Sequence, residues 1–415
     1  MRIAILNWSS RPVGGSGTYL RLVVPALARR GHDLALWHEI GEPPDGDPFA
    51  LPPESPSWSV EQMGVERALA GIADWHPDLL FSHGLLDPQI EARTLEIAPA
   101  VLLAHAYYGT CISGAKMFKN PTNRPCSRTF GWPCLVNYYP RRCGGWSPMT
   151  MVREFRRQAS RLELLSQYRA IVTLSSHMQR EYARHGLRAM WVKGAADPGA
   201  PCACDLAARS SRDAWRLLFA GRMESVKGGG YFLDALPRVA GTLDRALHVT
   251  FAGDGPARAS WETAAAKVAA REPRLRIDFS GWLDQDRIGA LFARADLLVL
   301  PSLWPEPFGI VGLEASRQRL PVAAFAVGGI PDWLRPGING YLARGDPPTP
   351  GGLAEAIIAC LKDPETHARL CDGAARVAAE FDFEHHIDAL MQVLSDAAGS
   401  SVGDGGSETT HVQRA

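Results

Sequence analysis

The sequence predicts an α/β protein made of two doubly wound domains, and three observations carry that expectation. The chain has 415 residues, too many for one ordinary core. Short apolar runs alternate with segments of helical period along almost all of it. Near the middle, residues 193–211 contain Pro198, Gly199, Pro201 and two cysteines without either period, which marks a linker.

The elements follow in order. Residues 2–6 are apolar and read as a first buried strand, Gly14-Gly15-Ser16-Gly17 as a turn, and 18–30 as a helix with Leu22, Val23, Ala26 and Leu27 on one face. Gly31 closes that helix and 33–37 supplies the next strand. Further strands are expected at 78–82, 100–104 and 170–174, which makes 1–195 one domain. After the linker at 196–211, strands at 216–220, 248–252, 276–280, 297–301 and 321–324 alternate with helices around 229–240, 256–270, 286–294 and 310–318. Two more helices are expected at 352–362 and 365–380. The second domain is thus 212–380, with a C-terminal helix at 381–398 returning to the first. The Gly-, Ser- and Thr-rich tail 399–415 has nothing to bury and is expected to be disordered.

Composition excludes several classes. Lys plus Arg and Asp plus Glu both number 44, so no global field draws the chain to nucleic acid. No apolar run reaches the roughly 18 residues of a membrane span. Met1-Arg2-Ile3-Ala4-Ile5-Leu6 passes to polar Asn7 and Ser9 too soon for a signal peptide, so a cytoplasmic protein is expected.

Chemistry concentrates in Trp304-Pro305-Glu306-Pro307-Phe308-Gly309-Ile310-Val311-Gly312-Leu313-Glu314-Ala315. This segment joins the carboxyl end of a strand to a new helix, where open parallel sheets bind ligands. Amides from Phe308 through Gly309 and Ile310 to Val311 can accept phosphate or hydroxyl oxygens. Glu306 and Glu314 can each accept a pair of ligand hydroxyls. Two glutamates chosen blindly would most often be solvated charges, and it is a family resemblance that argues otherwise. Upstream, Gly221-Arg222-Met223-Glu224-Ser225-Val226-Lys227-Gly228 follows another strand, and Arg222 and Lys227 could neutralise a departing diphosphate. Alone, such a turn is more often merely exposed.

The Glu306 to Glu314 spacing of seven intervening residues resembles the signature of the retaining glycosyltransferases of family 4, within the glycosyl transferases group 1. The resemblance covers nearly the whole chain. It implies the GT-B fold, two Rossmann-like domains facing a cleft, and a nucleotide-diphosphate-sugar donor with a hydroxyl acceptor, in polysaccharide or glycoconjugate biosynthesis. It assigns Glu306 to the sugar, Glu314 to the ribose, and Arg222 and Lys227 to the diphosphate. Phe251-Ala252-Gly253-Asp254-Gly255-Pro256 resembles a family glycine turn, and Ser280-Gly281-Trp282-Leu283 the loop beside the base, so Leu283 is a donor contact. Val327-Gly328-Gly329-Ile330-Pro331-Asp332 resembles a structural loop. Gly15 and Gly17 resemble the turn facing the donor phosphates; Leu20 stands where a dinucleotide pattern needs its third glycine. His105 resembles the family histidine near the transferred sugar, with His83, another strand-end histidine, as its competitor. No cofactor is required. A non-catalytic nucleotide-sugar binder and a GT-B epimerase or phosphorylase are the alternatives.

Cys111, Cys126, Cys134 and Cys143 lie in an insert at about 108–150. Their spacing lacks a Cys-x-x-Cys pair, so a structural zinc, free thiols and two disulfides all stay open. Arg141, Arg142, Arg153, Arg156, Arg157 and Arg161 make the insert's end basic, while Val152, Phe155, Ala159 and Leu162 are expected to form an apolar face. Anionic lipid or a lipid-diphosphate acceptor is one reading of that helix, and packing on its own domain is the other.

Overall fold

The structure is a computed structural model that describes residues 1–11, 14–41, 49–195 and 213–399. The expected linker at 196–211 and the tail from 400 lie outside the described residues.

The first sheet contains β1 (Arg2–Ser9), β2 (Asp33–Ile40), β3 (Ser57–Ser59), β4 (Leu79–Ser82) and β5 (Ala100–Leu103). After a small antiparallel pair, β6 (Met117–Phe118) and β7 (Arg124–Pro125), β8 (Ala170–Thr173) and β9 (Ala189–Trp191) complete it. Its order is β3-β2-β1-β4-β5-β8-β9, parallel throughout. The second sheet is built from β10 (Ala214–Ala220), β11 (Ala246–Ala252), β12 (Leu275–Gly281), β13 (Leu297–Leu300), β14 (Val322–Phe325) and β15 (Gly340–Ala343). It runs β12-β11-β10-β13-β14-β15, also parallel. Ile3, Leu36, Leu79 and Val101 of the first sheet and Leu217, Val249, Leu298 and Ala323 of the second are fully or almost fully buried in one continuous apolar cluster, while Ala4, Leu6, Leu80 and Leu102 line a second cluster on the first sheet's other face. Burial on both faces is what unbroken apolar strands require.

Each sheet reverses its winding once, between β1 and β4 and between β10 and β13. Ligands of such sheets bind beyond the carboxyl ends of the strands at these reversals. The first helix, Gly14–Arg29, already includes the glycines that the sequence suggested as a turn. Strands β3, β9 and β15 went unseen because two have three residues and the third begins with a glycine.

The C-terminal helix Phe383–Gly399 packs on the first domain. Arg30 bonds Glu384 at 2.9 Å and Asp388 at 2.7 Å. Buried His386 donates from Nδ1 to the carbonyl of Lys193 at 2.8 Å, so its Nε2 accepts from the Tyr19 hydroxyl at 2.9 Å. The chain leaving the first domain and the chain re-entering it are thereby tied side by side.

Gly228, at φ 73°, ends the Lys227 loop against β13, and a Cβ there would lie 1.8 Å from the Pro301 carbonyl oxygen. No side chain fits, and the left-handed backbone adds its own cost. Gly228→Ala should lower stability by about 3 kcal/mol, which for a domain of this size is about 6–12 °C in midpoint. A thermal melt of the variant within about 2 °C of wild type would refute the clash.

Candidate active site

The site is assembled from loops at the carboxyl ends of the strands. Glu306 lies in the loop after β13 with a side chain only 8% exposed. Its Oε1 accepts from Lys227 Nζ at 2.7 Å and from the Ser302 hydroxyl at 2.5 Å. Lys227 stands in the 3-10 turn Ser225–Lys227 after β10, and its ammonium also lies 5.0 Å from the centre of the Trp304 ring. The two strand-end loops flanking the β10/β13 reversal thus meet through opposite charges. The Ser302 contact was not foreseen, although its place directly after a strand was a signal.

The backbone of Pro305-Glu306-Pro307 is held at every carbonyl. Tyr107, from the first domain, donates to the Pro305 oxygen at 2.7 Å, and Ser175, also from the first domain, donates to the Pro307 oxygen at 2.5 Å. Between them, the Gly329 amide donates to the Glu306 oxygen at 2.7 Å. Gly328, at φ 60°, lets that loop approach: a Cβ there would lie 2.1 Å from the Glu306 oxygen. The loop 327–332, expected to be structural, therefore fixes a site residue, and Asp332 extends the contact by accepting from the Ser176 amide at 2.7 Å and its hydroxyl at 2.6 Å. Tyr107, Ser175 and Ser176 had no distinctive motif, though Ser175 also caps the following helix by accepting from Met178 at 3.2 Å.

The helix Ile310–Arg317 begins after Gly309, whose left-handed N-cap carries no side-chain acceptor. The Gly312 amide donates to the Gly309 carbonyl at 3.0 Å, and those of Ile310 and Val311 are left to a ligand or solvent. Phe308 contributes only its backbone, because its ring is buried near Phe381 and its carbonyl accepts from the Trp333 indole at 2.8 Å. Glu314 is half-buried about one turn into the same helix, eight residues after Glu306. Arg222 is exposed and pairs with Glu224 at 2.9 Å. Leu283 is half-buried beside exposed Trp282, just beyond β12. Exposed Gly15 and buried Gly17 open the first helix at the end of β1.

His83 and His105 are partners rather than competitors: His83 Nδ1 lies 2.8 Å from His105 Nε2, with the rings stacked at 5.1 Å. Burial pushes His105 down to about 3, so it is neutral at ordinary pH. The buried His83 Nε2 has no hydrogen-bond partner. An orphaned buried N–H is rarer than an orphaned acceptor, so His83 carries its hydrogen on Nδ1 and donates it to His105. His105 then has its own hydrogen on Nδ1, as a donor for a ligand. Tyr19 packs edge-on against His105 at 5.4 Å.

The four insert cysteines are free thiols. Burial raises the pKa of Cys126, Cys134 and Cys143, with neighbouring thiols adding to it, and Cys143 is pushed up to about 12, which keeps that thiol protonated. Among the described residues no three His, Cys, Asp or Glu side chains are grouped to hold a metal. A buried cation organises the insert: Lys116 donates to Glu181, to the Thr110 carbonyl at 3.2 Å and to the Arg128 carbonyl at 2.6 Å.

Comparison with known proteins bears on this arrangement. Residues 208–377 match the family described as glycosyl transferases group 1. The chain is 28% identical to a glycogen synthase of Mycobacterium tuberculosis over 95% of its own length and 94% of that protein. It is 26% identical to a D-inositol 3-phosphate glycosyltransferase of Mycobacterium avium, over 94% and 92% respectively. An α-D-kanosaminyltransferase of Streptomyces kanamyceticus is 33% identical over 43% of this chain and 45% of its own. Among solved structures, Anabaena Alr3699/HepE in complex with UDP and glucose superposes with a TM-score of 0.65 at 20% identity, covering 95% of this chain and 99% of that one. Sucrose-phosphate synthase from Thermosynechococcus elongatus gives 0.67 at 19%, covering 95% and 98%. The fold is GT-B, with two facing Rossmann-like domains.

Burial also lowers His177, whose Nε2 lies 2.8 Å from the Tyr107 hydroxyl, to about 4. An unfolded imidazole takes up its proton near pH 6.5. Unfolding therefore consumes protons below pH about 6.5, and stability should fall from there toward pH 4. His177→Gln, which keeps a donor but does not titrate, should shallow that fall in melting temperature. Superimposable wild-type and variant profiles between pH 6.5 and 4 would exclude the assignment.

Proposed function

We infer that this chain, whose second domain is that of the group 1 glycosyltransferases, moves a sugar from a nucleotide-diphosphate donor to an acceptor hydroxyl with retention of configuration, as a family 4 enzyme. The observation that carries the reading is the Lys227–Glu306 pair, 2.7 Å apart at the winding reversal of the second sheet. An ammonium for a diphosphate and a carboxylate for sugar hydroxyls are held in one contact. Each keeps the other's charge compensated until a donor arrives.

When the donor binds, Lys227 turns to the diphosphate, joined by Arg222, and Glu306 accepts the sugar hydroxyls. The first-turn amides of Ile310 and Val311 and those of Phe308 and Gly309 just before them bind remaining oxygens. Glu314 accepts the ribose hydroxyls, Leu283 borders the base, and Gly15 and Gly17 face the phosphates from the other domain. His105 donates from Nδ1 to the sugar near its transferred carbon. The bond from that carbon to the diphosphate oxygen breaks, the acceptor oxygen bonds to the same face, and the acceptor proton passes to the departing diphosphate. The protein supplies electrostatic stabilisation where negative charge grows. The named relatives include a glycogen synthase and a D-inositol 3-phosphate glycosyltransferase, and a role in polysaccharide or glycoconjugate assembly accords with both.

A thermal-shift screen of nucleotide sugars should identify a stabilising donor. With it, proton NMR of the product should show the donor's anomeric configuration, and an inverted anomer would sink the retaining mechanism. Lys227→Ala and Glu306→Gln should each reduce kcat about 10²–10³-fold. Donor conversion without acceptor, or turnover dependent on inorganic phosphate, would instead indicate an epimerase or a phosphorylase.

A further inference from the structure

The helix that follows the insert, Pro148–Leu164, packs through only part of its apolar face, with Leu162 on the core and Phe155 against Phe130 at 5.1 Å. The buried side chains of that helix are Gln158, Arg161 and Leu164, all in its second half. Arg161 is anchored by the carbonyls of Leu85 and Leu86, the latter at 3.0 Å, and Gln158 accepts from the Gly109 amide at 2.9 Å. Val152, expected on the packed face, is 40% exposed, and Met149 is 83% exposed. The first two turns therefore present Met149, Val152, Arg153 and Arg156 outward, at helical spacing on one face.

Neighbouring segments extend this surface. Trp132 is 72% exposed, Trp146 70% and Val136 62%. The five residues fall within 21 positions, whereas the other exposed large apolar side chains among the described residues are scattered. Trp146 stacks on Tyr139 at 6.4 Å, and Arg142 covers its ring at 5.2 Å. Charge is as uneven. Residues 116–163 contain ten Lys and Arg but only two Asp and Glu, in a chain of zero net charge. One of those acids, Glu154, is already paired with Arg153 and Arg157.

We propose that this surface docks the protein on an anionic lipid bilayer. Indole rings favour the headgroup boundary, where an apolar ring and a polar N–H are both accommodated, and flanking arginines are drawn to acidic headgroups. A protein partner would have to supply the acidic surface that a bilayer has already. The insert also reaches the second domain, through Asn123 to the Tyr231 hydroxyl at 3.2 Å and Arg124 to Asp346 at 3.1 Å. Docking therefore brings the interdomain cleft to the membrane, where an acceptor bearing a lipid anchor would meet the site; that last step rests on the transferase reading.

The test is sedimentation of the full chain with vesicles of phosphatidylglycerol and phosphatidylcholine, against phosphatidylcholine alone. Binding should require the anionic lipid and weaken with salt. Arg142→Gln, Arg153→Gln and Arg156→Gln together should weaken it about 100-fold. Trp132→Ser, Trp146→Ser and Met149→Ser together should weaken it at least tenfold, with unchanged melting temperature. No binding to anionic vesicles, equal binding to both compositions, or undiminished binding by either triple variant would overturn the proposal. Concentration-dependent dimerisation abolished by the apolar variant would overturn it too, by assigning the patch to a second copy. A chain that docks but transfers no sugar keeps this surface and loses the transferase reading; one that transfers without docking does the reverse.

Discussion

Three successive carbonyls, those of Pro305, Glu306 and Pro307, set the geometry on which the site depends. Two are held by hydroxyls of the first domain and one by an amide of the second. Tyr107 and Ser175 each contribute a neutral hydrogen bond of modest net strength. Their value is positional, because they bracket the glutamate whose side chain meets Lys227. A carboxylate that is only 8% exposed needs a fixed partner, and the loop can supply one only if its backbone cannot swing.

Much of this architecture was legible in the sequence because parallel strands buried on both faces leave plain apolar runs. The strands at 216–220, 248–252 and 297–301 were found to within two residues at each end. Glu306 and Lys227 could be placed at strand ends for the same reason. Contacts between domains were not legible. Nothing local distinguishes Tyr107 from any other tyrosine after a strand, and its acceptor lies 198 residues away. The His83 and His105 question was posed as a choice because periodicity reports which strand ends carry histidines, not which strand ends are adjacent. β4 and β5 are neighbours, so both histidines belong to one hydrogen bond.

The insert shows the limit of pattern reading more sharply. The four cysteines are the visible pattern there, while the buried charge beside them is Lys116, a residue with no motif, held against Glu181 and two carbonyls. A buried cation satisfied by several acceptors fixes its surroundings strongly, since removing any partner leaves charge uncompensated. The helix at 148–164 met its expectation only in part, with Leu162 packed on the core and Phe155 on Phe130 but Val152 exposed. Its hydrophobic positions suggested a packed face, but a guanidinium and an amide side chain took the buried positions because backbone partners awaited them there.

The tie between Lys193 and His386 makes the second domain a lobe spliced into the first, entered and left at one doorway. The two lobes are thus joined along the chain by two adjacent strands rather than one, besides meeting directly through Tyr107, Ser175 and Ser176. Exchanging this second lobe for a relative's is then a transplant with two sutures. Both joints, and the C-terminal helix beyond the second, would have to come from the recipient.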